Sequence, residues 1–158
     1  METFFSGHEI VDMAVITEER GYEFYKTAEE NASSEETKQL FAYLADEELN
    51  HKKIFSGLKD YIDDTPQGTP IDWEDVGKYI KAMVESSIFL GNKNIDFAAN
   101  SETDKKAVEF ALGFERDTLL FFYELKDMIK SSGKDVISKI INEEKEHIKR
   151  LSEMKKLM

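Results

Sequence analysis

Four stretches of the chain carry the same seven-residue apolar rhythm, in steps of three and four, and each is interrupted at its centre by polar residues. A stripe of that period is the inward face of an α-helix, because residues three and four apart stack on one side. The first seam reads Val11, Ala14, Glu18, Gly21, Tyr25, Ala28, and the second Phe41, Leu44, Glu48, His51, Phe55, Leu58, Ile62. The third reads Val108, Ala111, Glu115, Thr118, Phe122, Leu125, Ile129, and the fourth Ile137, Ile140, Glu144, His147, Leu151, Met154. Every central position is glutamate, and the seam position after it is Gly, His, Thr and His in turn. Packing such helices together buries their apolar ends. It also gathers four glutamates and two histidines near one level of the interior.

The order of these residues repeats. Glu18 precedes His51 by 33 residues and Glu115 precedes His147 by 32, each time as Glu on one helix and Glu-x-x-His on the next. This pattern reads as an internal duplication of a helical hairpin. The expected helices run over about 7–31, 34–62, 102–131 and 134–157. "SGHE" (Ser6–Glu9) and "SSEE" (Ser33–Glu36) resemble capping boxes, "SETD" (Ser101–Asp104) offers a third cap, and "SSGK" (Ser131–Lys134) punctuates the last pair. "DDTPQGTP" (Asp63–Pro70) is the clearest break. Residues 63–101 are expected to cross between the hairpins and to carry a helix of their own, starting near Asp72 and weakening around Gly91–Asn94, since a structureless loop that long is uncommon. The expected fold is therefore all-α, an up-down four-helix bundle with a long helical crossover, forming one domain over 1–158.

Burying four carboxylates as ions costs several kcal/mol each, and as acids they would still need hydrogen-bond partners. Two divalent cations remove the difficulty, because their four positive charges balance the four carboxylates while the imidazoles stay neutral. The spacing of Glu-x-x-His puts both side chains on one helical face. The histidine can then bind one metal terminally while the glutamate bridges both. Glu18 and Glu115 would each add a terminal carboxylate. A single Glu-x-x-His is weak evidence in a chain with 33 acidic residues, but two copies on inward registers, each about 30 residues after an inward glutamate, are specific.

Composition narrows the function classes. A formal net charge of −12 argues against nucleic acid as a partner, since phosphate is repelled over most of the surface. The absence of cysteine removes disulfides, Cys-zinc sites, iron–sulfur clusters and thiol catalysis together, and fits a reducing cytoplasm. "METFFSGHEIV" has no cationic leader followed by an apolar run, so no export signal is read there. No apolar run approaches the roughly 20 residues needed to span a bilayer.

At these residues the chain resembles the ferritin-like superfamily, and in particular its rubrerythrin-type di-iron domains, over roughly 8–62 and 102–157. "EERGYEFY" (Glu18–Tyr25) is similar to the family's first-helix motif. "ADEELNH" and "INEEKEH" are similar to its ligand-bearing second and fourth core helices, and "FERDTLLFF" (Phe114–Phe122) to its third. The resemblance implies metal ligands at Glu18, Glu48, His51, Glu115, Glu144 and His147. It implies two iron ions as cofactor, with manganese as the other metal this ligand type accepts. It implies O2 or hydrogen peroxide as substrate. It also implies that Tyr25 hydrogen-bonds a ligand carboxylate and could supply an electron, which makes it the candidate catalytic side chain. Two departures stand out. Thr118 occupies the place of an extra glutamate used by peroxidase-type members for a redox-linked metal shift. No Cys-ligated rubredoxin domain is present, so reductant is expected from an external donor such as a rubredoxin.

The expected function is a non-haem di-iron oxidoreductase, with ferroxidase or iron storage, or a non-catalytic metal-stabilised helical module, as alternatives. Gly21 and Thr118 either leave room above the metals for a small ligand or simply allow close helix packing. Glu19, Glu47 and Glu143 neighbour the ligands but sit off register. His8 and Glu85 are expected to be structural or solvated. Aromatics such as Phe4, Phe5 and Trp73 suggest a homo-oligomer, most simply a dimer.

Overall fold

The computed structural model describes residues 7–61, 103–129 and 131–158. Over these residues the chain forms four long helices: α1 (Gly7–Asn31), α2 (Glu35–Leu58), α3 (Asp104–Met128) and α4 (Ser131–Lys156), with one short 3-10 turn at Lys59–Tyr61 after α2. There is no strand among the described residues. The expected helix in the crossover, the cap at Ser6 and the residues Phe4, Phe5, Trp73 and Glu85 lie outside them.

The helix starts differ from the sequence expectation by small steps. The cap of α2 is Ser34 rather than Ser33: its backbone is extended and its hydroxyl oxygen accepts the N–H of Thr37 at 3.1 Å. The cap of α3 is Thr103 rather than Ser101, accepting the N–H of Lys106 at 3.1 Å. A short hydroxyl reaches the N–H three residues ahead, so the extended residue nearest the helix takes the role. "SSGK" does not interrupt the last pair but forms the first turn of α4, where small polar residues are as compatible as in a turn. The break instead falls at Ile129, which leaves α3 with extended backbone. The Asp104 carboxylate is drawn elsewhere, accepting the backbone N–H groups of Ser33 and Ser34 at 2.8 and 2.9 Å. It thereby ties the α1–α2 turn to the start of α3.

Every described seam residue is buried except Met154, which is partly so. The apolar ones form two clusters. One joins Ile10, Val11 and Ala14 of α1 to Phe55 and Leu58 of α2, Phe121, Phe122 and Leu125 of α3, and Ile137, Ile140 and Ile141 of α4. The other joins Phe24, Tyr25 and Ala28 to Phe41, Leu44 and Ala45, Ala107, Val108 and Ala111, and Leu151. Burying one such side chain fully contributes about 1.5–3 kcal/mol, so the two clusters supply most of the drive to pack. The same grouping fixes the directions. The first half of α1 meets the second halves of α2 and α3 and the first half of α4. So α1 runs with α4, and both run against α2 and α3. Closest packing is α1 on α2 and α3 on α4, with α1–α3 and α2–α4 completing the square. Leu58 and Ala107 consequently sit at opposite ends of the bundle, as an up-down arrangement with a crossover requires.

Candidate metal centre

Between the two apolar clusters lies a buried polar layer. Glu18 from α1, Glu48 and His51 from α2, Glu115 from α3, and Glu144 and His147 from α4 are each at most 1% exposed. All six predicted ligands are therefore brought together. The helical period explains why: one residue in three or four on each seam reaches the axis, and the polar interruption lies at the same height on all four helices.

Each imidazole turns Nδ1 toward the carboxylates. His51 Nδ1 lies 2.8 Å from Glu144 Oε1, 3.7 Å from Glu18 Oε2 and 3.9 Å from Glu48 Oε2. His147 Nδ1 lies 3.1 Å from Glu144 Oε2, 3.5 Å from Glu48 Oε1 and 3.6 Å from Glu115 Oε1. The two rings stack with centroids 5.5 Å apart. Two sets of donors follow, Glu18–Glu48–His51–Glu144 and Glu48–Glu115–Glu144–His147, each with ligand atoms within 4.8 Å of one another. Glu48 and Glu144 belong to both sets, as bridging ligands would.

A cation pair fits this donor set. Nine buried side-chain polar atoms among the described residues make no hydrogen bond of good geometry, and eight of them belong to these six residues, although two of the eight, His51 Nδ1 and Glu144 Oε1, lie 2.8 Å apart. Unpaired buried oxygens and nitrogens on this scale are costly unless something else satisfies them. Burial and the charge of Glu144 push the Glu18, Glu48 and Glu115 carboxyls well above the usual range. Glu144 is the exception: burial opposes its ionisation, but hydrogen bonds from His147 and His51 outweigh that and lower it. Burial pulls His51 down, yet the hydrogen bond and charge of Glu144 push it up to about 9. Burial likewise opposes the charge on His147, and its bonds to Glu115, Glu144 and Glu48 raise it well above the ordinary value. Without cations, burial thus favours the protonated forms of Glu18, Glu48 and Glu115, while Glu144 favours protons on the two imidazoles. Divalent cations binding there displace those protons.

The surroundings of the six are not symmetric. Tyr25, buried two turns along α1 from Glu18, donates its hydroxyl to Glu115 Oε1 at 2.5 Å. Burial, then the Glu115 charge, raise the phenol above its usual range and keep it protonated as a donor. Glu115 is left with one unpaired oxygen, whereas both oxygens of Glu18 are unpaired. The matching position on α3 is Phe122, which packs against Phe55 at 5.0 Å.

Two residues set aside in the sequence reading turn out to matter. Glu143, one before Glu144, accepts from His51 Nε2 at 2.8 Å, and Glu47, one before Glu48, lies 4.0 Å from His147 Nε2. Each reaches across the α2–α4 face to the outer nitrogen of the other helix's histidine, both about one-third exposed. On His51 that hydrogen bond fixes the tautomer that leaves Nδ1 free for a metal, whereas Glu47 stands beyond hydrogen-bond distance of His147 Nε2. The signal in the sequence was the doubled glutamate before each histidine. Glu47 with His51 and His147 also forms a third metal-capable grouping, but it reuses both histidines and belongs to this outer layer. Glu19 pairs instead with Lys52 at 3.1 Å on the surface, and His8 sits in the first turn of α1, apart from any such grouping.

Gly21 is glycine for packing: an added Cβ would stand 3.1 Å from Phe114 Cε1 and 3.3 Å from Glu48 Cγ and Cδ. No helix among the described residues is long and apolar enough to cross a membrane.

Over residues 9–155 the chain matches the rubrerythrin family. It is also similar to a solved structure from Thermotoga maritima, described as a ferritin-like diiron-carboxylate protein, with a TM-score of 0.76 and 26% identity over 99% of this chain and 98% of that one. No curated protein matches.

Proposed function

The chain belongs to the rubrerythrin family, and on that footing we propose that it is a non-haem di-iron oxidoreductase, reducing O2 or hydrogen peroxide with electrons from an external donor protein such as a rubredoxin. The observation that carries this reading is the convergence of six buried donors from four helices, eight of their atoms unpaired, on two sets that share Glu48 and Glu144. Carboxylate oxygen with imidazole nitrogen suits iron, and manganese as the other candidate. When bound, two ferrous ions would supply one electron each to the oxidant.

The residues of the chain do the rest. Glu48 and Glu144 would hold the two ions together. His51 with Glu18, and His147 with Glu115, would complete each end. Glu143 orients His51 through its outer nitrogen. Tyr25 holds one oxygen of Glu115 in place and keeps a phenol, the side chain best suited to giving an electron, in contact with a ligand. The apolar clusters on both sides keep bulk water from the layer. Thr118 stands where peroxidase-type members of the family have a carboxylate, so that position would offer the ions no anionic ligand for a redox-linked exchange. We place the activity in the cytoplasm, in a single domain over 1–158 that acts as a dimer.

Anaerobic loading with Fe(II) followed by stopped-flow mixing with O2 or peroxide tests the proposal. Two irons per chain and a new near-ultraviolet absorbance on mixing are expected. Fewer than two irons, or no oxidation-linked absorbance with either oxidant, would overturn it.

A further inference from the structure

The ninth unpaired buried atom is the Oγ1 of Thr118, and it alone of the nine belongs to none of the six donors. Thr118 lies one helical turn beyond Glu115 on the inward seam of α3 and is 1% exposed. A threonine inside a helix has an easy way to satisfy its hydroxyl, by donating to the carbonyl four residues back. Thr17, equally buried in α1, does so, reaching the Met13 carbonyl at 2.8 Å. Thr118 does not, and a buried hydroxyl left unpaired costs free energy.

The corresponding place at the other end of the layer is closed. Gly21 occupies it, and Phe114 and Glu48 fill the space that a Cβ would need. Because α2 and α3 run in the same direction, Thr118 follows Glu115 toward the end where His51 follows Glu48. One end of the metal layer is therefore plugged by protein, and the other presents a hydroxyl with no protein partner.

We infer that the Thr118 hydroxyl is the positioning residue for the small exogenous ligand of the metal pair, hydrogen-bonding O2, peroxide or an anion of similar size at the His51 end of the layer. This rests on the di-iron reading above. A hydroxyl there can donate to a ligand oxygen or nitrogen without carrying charge, so it orients the ligand without competing for the cations as a carboxylate would.

The test compares Thr118→Val, Thr118→Ser and Thr118→Ala with the unmodified full chain, using azide as the probe. In the diferric protein, azide affinity read from its charge-transfer absorbance is expected to fall about tenfold in Thr118→Val, the size of a lost hydrogen bond to a charged acceptor, and to stay within about twofold in Thr118→Ser. Should the valine variant take up fewer than two irons, the alanine and serine variants differ in the hydroxyl and give the same ratio. In the metal-free protein, Thr118→Val is expected to melt at the same temperature or up to ~4 °C higher, because an unpaired buried hydroxyl is removed. Equal azide affinity in the valine and serine variants, with two irons bound, overturns the role of Thr118 and leaves the di-iron reading standing. A drop in melting temperature of the metal-free valine variant overturns it too, by showing that the hydroxyl was held internally. Failure of the unmodified protein to take up two irons overturns both.

Discussion

The two hairpins are built to one plan and finished differently. Each contributes a glutamate from its first helix and Glu-x-x-His from its second, and each histidine turns Nδ1 inward. Around that shared set the halves diverge at three matched places. Tyr25 faces Glu115, but the place of Tyr25 in the second half is taken by Phe122. Gly21 is packed shut, but Thr118 keeps an unpaired hydroxyl. Glu143 touches its histidine at 2.8 Å, but Glu47 stands 4.0 Å from its own. The lesson is that charge balance and helical period constrain the six donors in both halves alike, while the neighbours are free to make the two metal positions unequal. The position served by Glu18, with both oxygens unpaired and its histidine braced by Glu143, is the better furnished of the two.

The largest effect should come from the glutamates that the two sets share. Glu48→Gln or Glu144→Gln should reduce metal content from two ions per chain toward none, whereas Glu18→Gln or Glu115→Gln should leave roughly one, by elemental analysis after loading. If all four variants kept one ion, the shared role of Glu48 and Glu144 would be lost and with it the plan common to both halves. Next in size is the outer carboxylate. Glu143→Gln should weaken metal binding about tenfold in a competition titration, and Glu47→Gln less. Equal losses would mean that the two histidines are braced alike once metal is bound, erasing one of the three differences. The smallest effect is that of Tyr25→Phe, which makes the first half match the second. It strands a buried carboxylate oxygen and should cost the metal-free protein about 1–2 kcal/mol in urea denaturation. An unchanged midpoint would show that the Tyr25–Glu115 bond holds nothing in place.

Much of this was legible in the chain itself, for a physical reason. A seam residue is defined by period alone, so Glu18, Glu48, His51, Glu115, Glu144 and His147 could be assigned to the axis without knowing any neighbour, and the structure gathers all six. The outer partners could not. Glu47 and Glu143 are off the seam, and what recruits them is the direction of an imidazole edge across the α2–α4 face, which depends on two helices at once. Gly21 shows a similar limit. A small residue at a crowded level is compatible with empty space or with close approach, and the distances to Phe114 and Glu48 decide for close approach. The caps of α2 and α3 fall one and two residues later than expected, at Ser34 and Thr103, and Asp104, at the helix start, accepts from the backbone of Ser33 and Ser34, a partnership set by tertiary packing.

The composition of the two donor sets has a mechanical consequence. Glu18–Glu48–His51 needs Glu144 from the other hairpin, and Glu115–Glu144–His147 needs Glu48. Neither half holds a whole coordination sphere, so the free energy of loading is felt as adhesion across the seam between hairpins rather than as stiffness within either. A cation entering this layer would act as a rivet between two separately wound pairs.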